Sequence, residues 1–170
     1  MEISTTTPEG ATPATARPVV LPPGAGRTVE AFGDSVLFQL DGAQTGGALA
    51  LGLGTTPPGG GPPLHYHRHE DELFLVLDGV VSYCVEGEWA DVGPGGVAYV
   101  PRGVVHTFRN NTDQPVRHWI VATPAGFDRF FDRCAAVFAA GGPPDMARIL
   151  AISDEHGIVF PPPALDPTPA

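Results

Sequence analysis

Basic side chains are scarce in this chain: nine Lys and Arg stand against nineteen Asp and Glu, for a formal net charge of -10. Nucleic acids and anionic membranes both require a basic face, so neither is expected as a partner. Long apolar runs are missing too, and nothing approaches the roughly 20 residues that a membrane helix needs. The start, MEISTTTPEGATPATARPVVLPP, lacks a basic segment followed by an apolar one, so no secretory signal is expected there. Cysteine is nearly absent. Cys84 and Cys134 lie far apart without a CxxC pair; a bridge is open to them, but two small thiols in a reducing compartment is the simpler reading. The expectation is a soluble cytoplasmic protein.

What the chain has instead is glycine (22 residues) and proline (20 residues). Pro8, Pro13, Pro18, Pro22 and Pro23 punctuate a Thr- and Ala-rich stretch with little to bury, so residues 1–24 are expected to be a disordered tail. The end, PPPALDPTPA over 161–170, reads the same way. Between the tails, short segments such as SVLFQL, ALALGL, ELFLVL, VVSYCV, VAYV, HTF and VRHWIVA alternate with Gly, Pro, Asn and Asp clusters. Strand-sized apolar runs broken this often predict an all-β barrel or sandwich over residues 25–123, with a hairpin connection at Gly87–Trp89. After Pro124 the period becomes helical. Phe127, Phe130, Phe131, Cys134 and Phe138 predict an amphipathic helix over 126–139. A second helix is predicted over 144–155, with Met146, Ile149 and Leu150 on one face and Gly157 as terminator. These helices make a C-terminal extension over 124–160. The phenyl stripe reads as packing, either on the barrel or on a second subunit.

The chemistry sits in histidines. His65 and His67 form HxH, and in a strand positions i and i+2 face the same way, so two imidazoles reach one point without a special loop. Glu72 follows, with Glu70 and Asp71 as rival carboxylates, and His106 lies on a separate strand after Pro101 and Gly103. Three imidazoles and one carboxylate, without a thiolate, suit one divalent transition metal: Fe, Mn, Ni, Co, Cu or Zn. His69 falls outside this register and is expected at the solvent or the barrel mouth. His118 is expected in the core or behind the ligands, and His156 at a helix end where a cation suits the dipole.

Taken together these segments resemble the cupin superfamily. GGGPPLHYHRHEDELFLVLDG fits that family's first motif with Gly59, His65, His67, Glu72 and Gly79 in register, and GGVAYVPRGVVHTFRN fits the second with Gly95, Pro101, Gly103, His106 and Asn110. The resemblance covers about residues 45–122. It implies an antiparallel double-stranded β-helix, the jelly-roll cupin barrel, followed here by the two helices. It also implies metal ligation by His65, His67, Glu72 and His106, with Glu72 rather than Glu70 as the carboxylate. Asp71 is expected to point outward, and Asn110 to end a strand or bond a turn.

Strand parity sketches a pocket around that centre. Phe74 and Val76 follow Glu72 inward and Phe108 follows His106, with Tyr99 and then Tyr83 as further candidates. An apolar, partly aromatic cavity favours a small organic ligand with a chelating oxygen. Arg68, Arg102, Arg109 and Arg117 are the only basic residues near the motifs. The tail beginning GFDRFF is similar to that of single-domain bacterial flavonol (quercetin) dioxygenases. The function expected is therefore a metal-dependent oxidoreductase, a dioxygenase consuming dioxygen and an aromatic or enolisable hydroxy-ketone such as a flavonol, with Glu72 as catalytic base. The alternatives are a metal-dependent isomerase, cyclase or lyase, or a small-molecule-binding cupin without catalysis. A homodimer is expected, because one small barrel cannot cover so much apolar surface.

Overall fold

The computed structural model describes residues 15–161, so the expected tails lie largely outside the described residues. Within that range the chain forms β1 (Arg27–Ala31), β2 (Asp34–Leu40), β3 (Ala50–Thr56), β4 (Tyr66–His67), β5 (Asp71–Asp78), β6 (Val81–Val85), β7 (Glu88–Val92), β8 (Val97–Val100), β9 (His106–Arg109) and β10 (Val116–Thr123). Helices α1 (Phe127–Phe138) and α2 (Met146–Glu155) and a final strand β11 (Ile158–Val159) complete it. A six-stranded sheet in the order β1-β2-β3-β10-β5-β8 faces a three-stranded sheet β7-β6-β9, and β11 pairs with β4. Every pairing is antiparallel, so the expected cupin jelly roll is the fold.

The interior is set by strict alternation. On β5, Glu72, Phe74 and Val76 are buried while Leu73, Leu75 and Leu77 face out. On β10, Val116, His118, Ile120 and Ala122 are buried. Strand β3 reverses the usual choice: Ala50, Gly52, Gly54 and Thr56 point inward, and the bulkier Leu51 and Leu53 do not. The small inward residues leave room where a core would otherwise close. A Cβ on Gly54 would stand 3.0 Å from the His118 ring, so glycine lets that imidazole lie across the strand without being pushed aside.

The helix stripe packs on the barrel. Phe127, Phe130, Phe131 and Cys134 are buried, and Phe38 and Phe32 meet Phe131 edge-on at 6.0 and 5.8 Å. Phe32 sits with φ 58° in the tight β1–β2 turn, which carries its ring over the helix. Helix α2 is capped by the Asp145 side chain, which accepts from the Arg148 N–H, and it ends before Gly157 at φ +74°. Its buried face is Ile149, Ile152 and Ser153; Met146 and Leu150, expected beside Ile149, are more than half exposed. The hairpin turn also moves: Glu86 and Gly87 hold the positive φ angles, and Trp89 belongs to β7. The two cysteines are buried and are not joined in a disulfide.

Outside, the large sheet carries two apolar rows across four strands. Leu53, Trp119, Leu75 and Val97 are cross-strand neighbours, as are Leu51, Val121, Leu73 and Tyr99. Tyr99 is 59 % exposed in the second row. Among the described residues no helix is long and apolar enough to cross a membrane.

Candidate metal centre

His65 and His106 are held opposite each other by backbone bonds in both directions, His65 N–H to His106 O at 3.0 Å and His106 N–H to His65 O at 2.8 Å. One residue on, alternation turns Tyr66 away and returns His67 to the same side, 1 % exposed. Glu72 enters from β5, locked between Val100 of β8 and Ala122 of β10. The ligand atoms of His65, His67, Glu72 and His106 all lie within 4.8 Å of one another, a group that can hold a metal ion.

The donor chemistry fits such an ion. His65 and His106 each place Nδ1 2.9 Å from a backbone carbonyl, of Pro63 and Val104. A carbonyl only accepts, so Nδ1 carries the proton and Nε2 keeps its lone pair for the centre. His67 Nε2 has no hydrogen-bond partner although it is buried, and lies 3.3 Å from Glu72 Oε2. His106 Nε2 lies 2.9 Å from the same oxygen. Burial, and after it His106 and His67, push His65 down to about 3. Burial opposes ionisation of Glu72, yet His67, His106 and His65 outweigh it and draw the carboxyl down to about 2. Burial likewise lowers His67, but Glu72 and Glu70 outweigh it and raise the imidazole. An ionised carboxylate and a neutral His65 near pH 7 are protonation states that ligation requires.

The rival carboxylates separate cleanly. Asp71 turns outward to Arg102, whose Nε and Nη2 donate to it at 2.9 and 3.1 Å. Glu70 is not at the centre but behind it, buried, with Oε2 3.4 Å from His67 Nδ1. A carboxylate behind a ligating imidazole fixes its ring and raises its basicity. Gly126 makes that possible, because a Cβ there would meet Glu70 Oε1 at 2.5 Å. Asn110 bonds turns, donating Nδ2 to the Thr56 and Gln114 carbonyls and accepting from Thr112 N–H. His69 is exposed. His156 caps α2, but burial and then Arg133 and Arg129 lower its pKa, so it is not the cation the dipole would favour.

A narrow cavity of about 60 Å³ runs from His65, His67 and Glu72 into the barrel. Phenyl groups dominate its wall, Phe74 and Phe108 from the barrel and Phe127, Phe131 and Phe160 from the C-terminal segment. Among the described residues no arginine is on it. Val76 is buried on the inward face but packs in the core rather than on the cavity wall. Tyr99, expected in the pocket, is corrected to the outer face: Glu72 pairs with Val100, so its neighbour Tyr99 pairs with outward Leu73. Tyr83 is buried behind the wall, its hydroxyl 2.8 Å from His118 Nδ1.

The C-terminal segment belongs to the site in a way that sequence did not reveal. Ile158 and Val159 pair with His67 and Tyr66, and Arg68 N–H donates to Gly157 O at 2.8 Å. Two residues of strand carry no periodic signal, yet they hold the His67 backbone in place. Asp34, Thr56 and His118 also reach the cavity, from β2, β3 and β10.

Comparison with known proteins agrees with this geometry. Residues 52–122 match the family model described as Cupin domain. Among curated relatives, endoribonuclease YbeY of Myxococcus xanthus is 30 % identical over 106 residues, covering 62 % of this chain and 34 % of that protein. Quercetin 2,3-dioxygenase of Bacillus subtilis is 30 % identical over 67 residues, covering 39 % of this chain and 20 % of that protein. The chain thus spans about a third or less of the length of these two relatives. Among solved structures, the polyketide cyclase RemF of Streptomyces resistomycificus superposes with a TM-score of 0.54 at 24 % identity, over 63 % of this chain and 80 % of that one, a likeness of fold. The barrel described above has the cupin jelly-roll fold, and its residues 52–122 carry the match to the cupin domain model.

Proposed function

We propose that this cupin domain is a metal-dependent dioxygenase acting on an aromatic or enolisable hydroxy-ketone, with a flavonol as the type of substrate. The observation that carries the reading is the opening of the three-His, one-Glu cluster directly into a phenyl-walled cavity without arginine. Such a wall takes a flat, uncharged ring system and excludes water, and leaves the ligand's own oxygens as the groups that meet the cluster. His65, His67, Glu72 and His106 would hold one divalent transition metal. That metal would supply open coordination positions and Lewis acidity toward an oxygen chelate.

The protein's share is orientation and proton movement. Pro63 and Val104 carbonyls set the tautomers of His65 and His106, and Glu70 steadies His67. Glu72, ionised and facing the cavity, accepts the proton of the substrate hydroxyl, which leaves an electron-rich enolate. The partial match to a quercetin dioxygenase, 30 % identical over 67 residues, supports the substrate class. The outer apolar rows support a homodimer, in which Leu53, Trp119, Leu75 and Val97 meet their counterparts on a second copy.

The test is oxygen uptake. Protein analysed for bound metal is presented with a set of flavonols in an oxygen electrode. Uptake in step with flavonol loss is expected. Flavonol conversion without oxygen would replace this reading with isomerase, cyclase or lyase chemistry. Binding without conversion would leave a small-molecule receptor.

A further inference from the structure

Beyond the metal cluster, the cavity wall holds a second polar group. Asp34 Oδ1, Thr56 Oγ1 and His118 Nε2 are buried without a hydrogen-bond partner, and all three residues line the cavity. Thr56 and His118 are each 0 % exposed. Unpaired buried polar atoms are costly, on the order of 1–3 kcal/mol each. Thr56 stands beside Asp34 and relieves part of its burden, but His118 Nε2 has no partner, so this wall calls for an occupant.

Register shows how they gather. Ser35 pairs with Thr55, so Asp34 and Thr56 stand side by side on the inner face; Val36 pairs with Gly54, and Gly54 with His118. His118 lies across Gly54, toward the Asp34 side of the sheet. The Phe74 ring stands between His118 and the cluster, its centroid 5.6 Å from the His118 ring and 6.4 Å from the His106 ring. The cavity therefore has two polar ends separated by phenyl walls.

The chemistry of this far end is specific. Asp34 supplies an acceptor. Tyr83 Oη lies 2.8 Å from His118 Nδ1. In the tautomer in which the tyrosine hydroxyl donates to Nδ1, the neutral imidazole carries its proton on Nε2 and presents a donor. Burial keeps His118 neutral, pushed down to about 4, and keeps the Tyr83 proton in place. An ammonium group cannot accept from Nε2–H, and an ether or carboxylate cannot donate to Asp34. A neutral hydroxyl does both.

We infer that Asp34, Thr56 and His118 form a hydroxyl-recognition subsite that selects substrates bearing a phenolic or alcoholic O–H at the end remote from the metal ligands. That the reacting end lies at His65, His67, Glu72 and His106 rests on the function proposed above; the subsite itself does not.

Phenol and its methyl ether, anisole, separate the two ideas. They are titrated into protein with labelled imidazoles, following the His118 Nε2 signal, in the parent and in His67→Ala as a background with a broken ligand set. Phenol is expected to bind at least about 10-fold more tightly than anisole in both backgrounds, the worth of a hydrogen bond to a charged acceptor. The ratio is expected to fall within about 3-fold in Asp34→Leu and in the near-isosteric Thr56→Val. The Thr56 variant guards against a folding defect in the other. Equal affinities in the parent, no binding of either probe, or a ratio intact in both variants would overturn the subsite. A flavonol screen without oxygen uptake, beside a preserved phenol preference, counts against the dioxygenase alone.

Discussion

Asp34 is the residue whose replacement tests the electrostatics of the cavity most sharply. Burial raises its carboxyl from 3.8 to about 6, with the Thr56 hydroxyl beside it offsetting only part of the effect. At 1.36 kcal/mol for each pH unit, an ionised Asp34 costs the fold up to about 3 kcal/mol. Between pH 3.8 and about 6 the folded chain holds this proton more firmly than the unfolded one, so stability falls as pH rises through that window. Below it both states are protonated and the penalty vanishes; above it the penalty is complete. Asn keeps the shape and never ionises, but buries an amide that recovers only part of its hydrogen bonding, at about 1 kcal/mol. The net expectation for Asp34→Asn is a gain of about 1–2 kcal/mol at pH 7.5, shrinking toward zero near pH 4. In a chain of this size that corresponds to a rise in Tm of roughly 3–7 °C. His65, His67, Glu72 and His118 line the same cavity and are common to both proteins, so the difference isolates Asp34. Urea unfolding of both proteins at several pH values is the assay. A pH-independent difference, or a variant less stable than the parent at pH 7.5, would refute the reasoning.

Two further predictions concern catalysis and assembly. Glu72→Gln keeps an oxygen for the metal but cannot take a proton, so it should retain appreciable metal and bind substrate while losing on the order of 10² to 10⁴ in turnover. Rates within a few-fold of the parent in metal-loaded protein would leave Glu72 a ligand only. Sedimentation at micromolar concentration should give twice the 17.7 kDa chain mass, and Leu75→Arg on the outer apolar row should return it to one. A parent sedimenting as a single chain would remove the dimer.

How far the sequence foretold this molecule depended on the length of each signal. Strands of seven or eight residues such as SVLFQL and VRHWIVA were legible because alternation over several residues leaves few other readings. The gathering of His65, His67, Glu72 and His106 was legible through HxH spacing and the second motif. Tyr99 was misplaced because a four-residue strand, VAYV, has an apolar residue on either face and no polar residue to set its parity. The sequence places Met146, Ile149 and Leu150 on one face of α2, but the residues buried there are Ile149, Ile152 and Ser153, which packing against α1 and β11 decides. The two-residue pairing of β11 with β4 and the meeting of Asp34 with His118 across Gly54 are long-range contacts, which local pattern does not encode. Glu70 stood within HRHEDE as one of three acidic candidates, and its place behind His67 follows only from the turn between β4 and β5.

The account stands on the four ligands, and metal content tests it most directly. Parent, His67→Ala and His69→Ala are purified side by side without added metal and analysed for bound transition metals. His67 is buried in the cluster and His69 is exposed two residues away. The expected result is close to one metal ion per chain in the parent and in His69→Ala, and a sharp loss in His67→Ala. Equal loss in the two variants, or a parent that takes up no divalent transition metal even when supplied with it, would contradict the account.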